Sequence, residues 1–160
     1  MRSGSLVPYL GFWLAVGITG YLVVNWLMSP KIAGVISTDG RGEVVINRSY
    51  DQHFYVAGAI NGHPVTFMVD TGASLVSINE DIARQIGLSP SGSPASFKTA
   101  AGTVAGRIVG DATVQAGGVR VDGIRIGITA AGDQPLLGQN FLNKVELTQT
   151  ADRMILRPKP

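Results

Sequence analysis

The stretch "FMVDTGASLV", Phe67 to Val76, runs a single carboxylate into a Thr-Gly pair between two apolar segments. An acid so flanked is costly to bury without partners. Two uses fit it. Asp70 can start a turn, its side chain accepting from nearby backbone amides, a common fate of aspartate before Thr-Gly. It can also be one of two carboxylates that share a proton and so supply a base and an acid at once. Other chemistries have little to work with. The chain has no cysteine, hence no thiolate nucleophile, cysteine metal cluster or disulfide framework. His53 and His63 are the only imidazoles, and both read as surface strand residues rather than as a spaced metal motif. No Ser-His-Asp pattern appears, so any catalysis falls to carboxylates, with no metal or organic cofactor expected.

The elements that must hold Asp70 are short and mostly extended. In "HFYVAGAINGHPVTFMVD" the pair Asn61-Gly62 separates two β-rich runs, and a turn with positive φ at both central positions predicts a hairpin of Phe54 to Ile60 with Val65 to Val69. Leu75 to Ile78 continues as strand. Asn79 then caps a short helix over Glu80 to Ile86 that stops at Gly87. "SPSGSPAS" reads as a loop. Two further hairpins are expected, one turning near Ala101-Gly102 and one at Gly117-Gly118, with a bulge or bend at Asp122-Gly123. "LLGQNFL" gives a strand end, Gly138 and a helical turn, and "RMILRP" closes the chain as a strand. With 21 glycines and 8 prolines in 160 residues, the composition suits short strands and tight turns, which makes the fold class all-β with one or two short helices.

The amino-terminal region is different. Leu6 to Met28 carries no charge for 23 positions, enough as a helix to cross a bilayer core, with Tyr9, Trp13 and Trp26 toward its ends. A cleaved signal peptide would have a shorter apolar run and small residues before the cleavage point, whereas "WLMSPK" follows here. The expected organisation is a transmembrane anchor over 1–28, a tether over 29–52 with a short strand in Glu43 to Asn47, and a folded domain over 53–160. Thirteen basic residues against eleven acidic ones are scattered rather than clustered, so nothing points to nucleic acid.

"VDTGAS", the preceding "INGHPVTFM", the glycine hairpin near Ala101-Gly102 and the late "LLGQNFL" together resemble the retropepsin-like aspartic proteases, in their bacterial membrane-anchored branch, over about Asp51 to Arg157. The resemblance implies a small, closed, barrel-like β domain and peptide-bond hydrolysis by a carboxylate dyad holding a water. This chain offers Asp-Thr-Gly once, so a second copy must bring the second carboxylate, and a two-fold homodimer does so because residues on its axis meet their own copies.

By the same resemblance Thr71 interlocks with its copy across the axis and Gly72 permits close approach of the backbones. Ala73, Leu137 and Gly138 support the catalytic loop from beneath. Thr99, Ala100, Ala101, Gly102 and Thr103 form a flap over an extended polypeptide substrate. A single-pass bacterial inner-membrane protein, anchored through residues 6–28 with a periplasmic domain, is implied as well. The alternatives are a non-catalytic peptide-binding or assembly module of the same fold, and a protease that acts mainly on its own tether. Gly138 as a plain strand cap and Gly102 as a plain turn residue remain open.

Overall fold

The computed structural model describes residues 7–29, 42–88, 91–99, 102–130 and 132–159. The chain divides between residues 30 and 31 into two compact units. The first contains one helix, α1 (Val7–Met28), whose apolar window Tyr9–Met28 has a mean hydropathy of 1.6 and no buried residue. Length and composition suffice to cross a membrane; an amino-terminal signal sequence has the same features.

The second unit carries, in order, β1 (Val44–Asn47), β2 (Tyr55–Ile60), β3 (His63–Val69), β4 (Val76–Asn79), α2 (Glu80–Gln85), β5 (Ser93–Thr99), β6 (Gly102–Ala116), β7 (Val119–Thr129), β8 (Leu136–Leu137), α3 (Gln139–Leu142), β9 (Val145–Gln149) and β10 (Arg153–Pro158). Seven strands form one sheet in the order β2-β3-β8-β4-β7-β6-β5, and β6 also pairs with β2. That extra pairing closes six strands into a barrel and leaves β5 outside it, joined to β6 alone. A second sheet of three strands, β1-β10-β9, places the last strand between the first and the ninth.

Local sequence explains much of this. Asn61 and Gly62 take φ of 51° and 84°, the paired positive values that the two-residue turn between β2 and β3 requires. Asn61 is pinned further: its N–H donates to the Thr113 carbonyl at 2.8 Å and its Oδ1 accepts from the Thr113 N–H at 2.8 Å. Asn79 caps α2 by accepting from the Ile82 N–H at 2.8 Å, and Gly87, at φ 67°, follows the helix end. Alternation along the strands turns Phe67, Val69, Val76, Ile78, Ile124, Ile126 and Leu137 into one buried core.

The two later hairpins join β5 to β6 and β6 to β7 as expected, and two other local expectations are corrected. The two later hairpins share one strand, β6, which runs through Gly110 and Asp111 with a shift in register between Val109 and Ala112. Asp111 takes φ 57° there, so the chain bends without leaving the sheet. Ser93 to Ser96, read as loop, are the start of β5, and β9 was not foreseen. Val44 and Ile46 are fully buried and pair with Leu156 and Met154, so this part of the 29–52 segment is built into the core.

Candidate active site

Asp70 stands at the end of β3, where the chain leaves the ladder. The Val69 N–H still donates to the Phe54 carbonyl at 2.9 Å, and the Asp70 N–H donates to the Leu137 carbonyl at 3.2 Å. From there the backbone turns outward. Asp70 is half-buried, while Thr71 and Gly72 are exposed. The Gly72 N–H donates to Asp70 Oδ1 at 2.8 Å, and the Ala73 N–H donates to the Asp70 carbonyl at 3.3 Å. Asp70 therefore does hold its own turn, and it does so with one carboxylate oxygen.

The loop is fastened from below by the segment that follows β8. The Gln139 N–H donates to the Ala73 carbonyl at 2.8 Å, and the Asn140 N–H to the Ser74 carbonyl at 3.2 Å. Gly138 is needed for space rather than for an unusual dihedral, since its φ is −93°. A Cβ there would strike the Leu75 carbonyl and come within 2.8 Å of the Ala73 oxygen. Ala73, Leu137 and Gly138 thus meet around the Asp-Thr-Gly turn.

Two residues that the sequence reading passed over complete the fastening. Gln139 donates from Nε2 to the Thr71 carbonyl at 2.8 Å. Asn140 accepts from the Val76 N–H at 2.7 Å and donates from Nδ2 to the Arg125 carbonyl at 2.7 Å, bridging β4 and β7. The available signal was a pair of carboxamides directly after Gly138 at the start of a helical turn, side chains suited to neighbouring backbone groups.

The expected flap is the β5–β6 hairpin. Thr99 pairs with Gly102 at its end, Thr99 Oγ1 donates to the Gly102 carbonyl at 2.8 Å, and Gly102 takes φ 123°. Thr103 is exposed opposite Lys98. Ala100 and Ala101 lie outside the described residues. Among the described residues no hydrogen bond links this hairpin end to Asp70–Ala73, and no cluster of histidine and carboxylate side chains is arranged to hold a metal ion.

A second acid lies near the entry to β2. Asp51 accepts from the Tyr55 hydroxyl at 2.6 Å and from the His53 N–H at 3.1 Å. Burial pushes its carboxyl up, but the Tyr55 hydroxyl, the His53 amide and the His53 ring outweigh this and hold it below the ordinary aspartate value. Burial and the same hydrogen bond push the Tyr55 hydroxyl up to about 12. Tyr55 opposes Met68, two residues before Asp70, so this pair secures the strand beside the turn.

Residues 56–144 match the family model described as "gag-polyprotein putative aspartyl protease". The chain belongs to the retropepsin-like aspartic proteases. A crystal structure of a retropepsin-like aspartic protease from Rickettsia conorii superposes with a TM-score of 0.62 at 26% identity, covering 72% of this chain and 90% of that one. An uncharacterized protein encoded in the cobV 5′ region of a Sinorhizobium species is 31% identical over 150 residues, 83% of this chain and 61% of that protein. The uncharacterized protein RP867 of Rickettsia prowazekii is 44% identical over 46 residues, 29% of this chain and 20% of its own length. The chain thus spans under two thirds of these curated relatives. The barrel with its outlying β5–β6 hairpin is the retropepsin-like fold, and the matched region contains Asp70, the hairpin and Gly138.

Proposed function

We propose that this retropepsin-like domain is an aspartic endopeptidase in which two copies each contribute Asp70 to a dyad that activates water. The observation that carries the reading is the presentation of the motif. Asp70 is held just past the end of β3, a strand of the closed barrel, with Thr71 and Gly72 exposed, on a loop fastened by Gly138, Gln139 and Asn140. A carboxylate serving only its turn would not need so rigid a platform, whereas a catalytic pair has to keep its geometry before substrate arrives.

In the dyad one carboxylate takes a proton from the attacking water and the other, protonated, supplies a proton during breakdown to the leaving nitrogen. Thr71 and Gly72 face the partner copy, and the β5–β6 hairpin, with Thr99 to Thr103 at its end, covers an extended polypeptide that adds main-chain hydrogen bonds in the manner of a strand. α1 anchors the chain in the bacterial inner membrane with the domain on the periplasmic side, which raises the local concentration of chains and so favours pairing.

The test is a peptide library incubated with the full chain in detergent across a range of pH, with Asp70→Asn in parallel. Cleavage by the wild type that vanishes in Asp70→Asn, with the same circular dichroism, supports the reading. Equal turnover by both proteins, or none by either, overturns it.

A further inference from the structure

The turn between β2 and β3 carries a pair of residues able to react with each other. Asn61 and Gly62 are both exposed. The amide nitrogen that follows an asparagine can attack its side-chain carbonyl carbon, and glycine, with no Cβ, hinders this least. Among the described residues the Gly62 N–H donates no hydrogen bond, and neither does the Asn61 carboxamide nitrogen. A Cβ on Gly62 would meet nothing within 4 Å, so the space beside it is open.

The folded turn holds the reacting atoms apart. With φ of 51° and 84° the pair forms a type I′ turn, whose first central residue has ψ of about +30°. That rotation points the Gly62 nitrogen away from the Asn61 side chain. Ring closure needs the peptide unit to swing round, and Thr113 resists it through the Asn61 N–H and Oδ1, both held at 2.8 Å. Thr113 is itself fixed, its hydroxyl donating to Asp122, which also pairs with Arg120. These contacts lie at the end of the seam that closes the barrel. There β2 meets β6 over three pairs only, Gly58 with Ala116, Ala59 with Gln115 and Ile60 with Val114.

We infer that Asn61-Gly62 is a site of spontaneous deamidation gated by this seam, open to reaction when Asn61 parts from Thr113. The Gly62 nitrogen then bonds to Asn61 Cγ, its proton passes to the departing amide nitrogen, and ammonia leaves a five-membered imide. Water opens the ring at one of its two carbonyls, giving aspartate or isoaspartate with no change of oxidation state. Aspartate keeps an acceptor for the Thr113 N–H but sets a second carboxylate beside Thr113, whose hydroxyl already holds Asp122. Isoaspartate adds a main-chain carbon to a two-residue turn and so loses the register that Thr113 reads. Both products weaken the closure of the barrel.

The test follows the full chain in detergent and mildly alkaline buffer, carrying Asp70→Asn so that proteolysis does not intervene. Peptide mass mapping and enzymatic methylation of isoaspartate report conversion, and a synthetic peptide of residues 55–69 serves as the ungated reference. Conversion at Asn61 should proceed in the folded chain, slower than in the peptide by about tenfold or more because it waits for local opening. Gly58→Ala, whose Cβ would strike the Gln115 carbonyl, should part the seam and speed conversion several-fold. Where that variant does not fold, urea below the unfolding transition should accelerate the parent in the same way. Aged protein should also unfold at lower denaturant than fresh protein. Conversion as fast as in the peptide overturns the inference. So does an intact Asn61 when the peptide has reacted to completion, or a rate indifferent to both the seam variant and urea.

Discussion

Asn140 accepts a hydrogen bond from Val76 and donates one to Arg125, both at 2.7 Å, so one carboxamide holds β4 and β7 at the point where the Asp-Thr-Gly loop joins the barrel. Asn140→Ala leaves a donor and an acceptor to find water or go without. The expected loss is about 1–3 kcal/mol in denaturant unfolding. Asn140→Asp keeps the acceptor but not the donor and should fall between. A wild-type midpoint in Asn140→Ala would show that solvent replaces both bonds.

Gln139 touches the loop differently, through the Thr71 carbonyl on an exposed surface. Gln139→Ala should cost little stability, about 1 kcal/mol or less. It frees the backbone beside Asp70, so peptide cleavage should drop by about tenfold while the unfolding midpoint barely moves, since small misplacements of catalytic groups are expensive. Parallel losses in both measurements would assign Gln139 to stability alone.

The Asp51–Tyr55 pair predicts a dependence on acid. The folded carboxyl of Asp51 titrates below its ordinary value of 3.8, so its contribution is present above that pH and disappears as pH falls through the lower, folded value. Tyr55→Phe removes the hydroxyl donor while keeping the ring. Stability at neutral pH should fall by about 1 kcal/mol, because the bond is only partly shielded from solvent. The difference between the proteins should shrink below pH 3.8 and vanish in stronger acid. A gap that persists in strong acid would mean that Tyr55 acts through packing.

Pairing of chains can be read by mixing. If each copy supplies one Asp70, equal amounts of wild type and Asp70→Asn, once exchanged, should leave about half the activity per wild-type chain, and dilution should lower it further. Activity per wild-type chain that ignores the inactive partner would place both acids within one chain.

How much of this was legible in sequence depended on whether the cause was local. Asn61-Gly62, Asn79 and Gly87 announced their turn and caps because the dihedrals and bonds they satisfy lie within a few residues. Asp70 and Gly138 were legible as a spaced pair, although the collision that Gly138 avoids involves carbonyls over sixty residues away in the chain. Thr71 and Val76, partners of Gln139 and Asn140, are equally distant, and no local pattern encodes them. The unbroken course of β6 shows only in its pairing with β7, whose register shifts across Gly110 and Asp111. The strand in Val145–Gln149 exists because β10 pairs with it, and its own composition gives little sign of that.

The three-stranded sheet carries a consequence for how the chain comes to be made. Val44 pairs with Leu156 and Ile46 with Met154, and β9 joins this sheet through β10. The first strand therefore waits for residues synthesised more than a hundred positions later, a long loop to close and a slow step on general grounds. Until residues 153–158 have left the ribosome, Val44 and Ile46 lack the strand they pair with. A growing chain carries its Asp-Thr-Gly loop well before it has this support, so completion of the domain waits for residues 153–158.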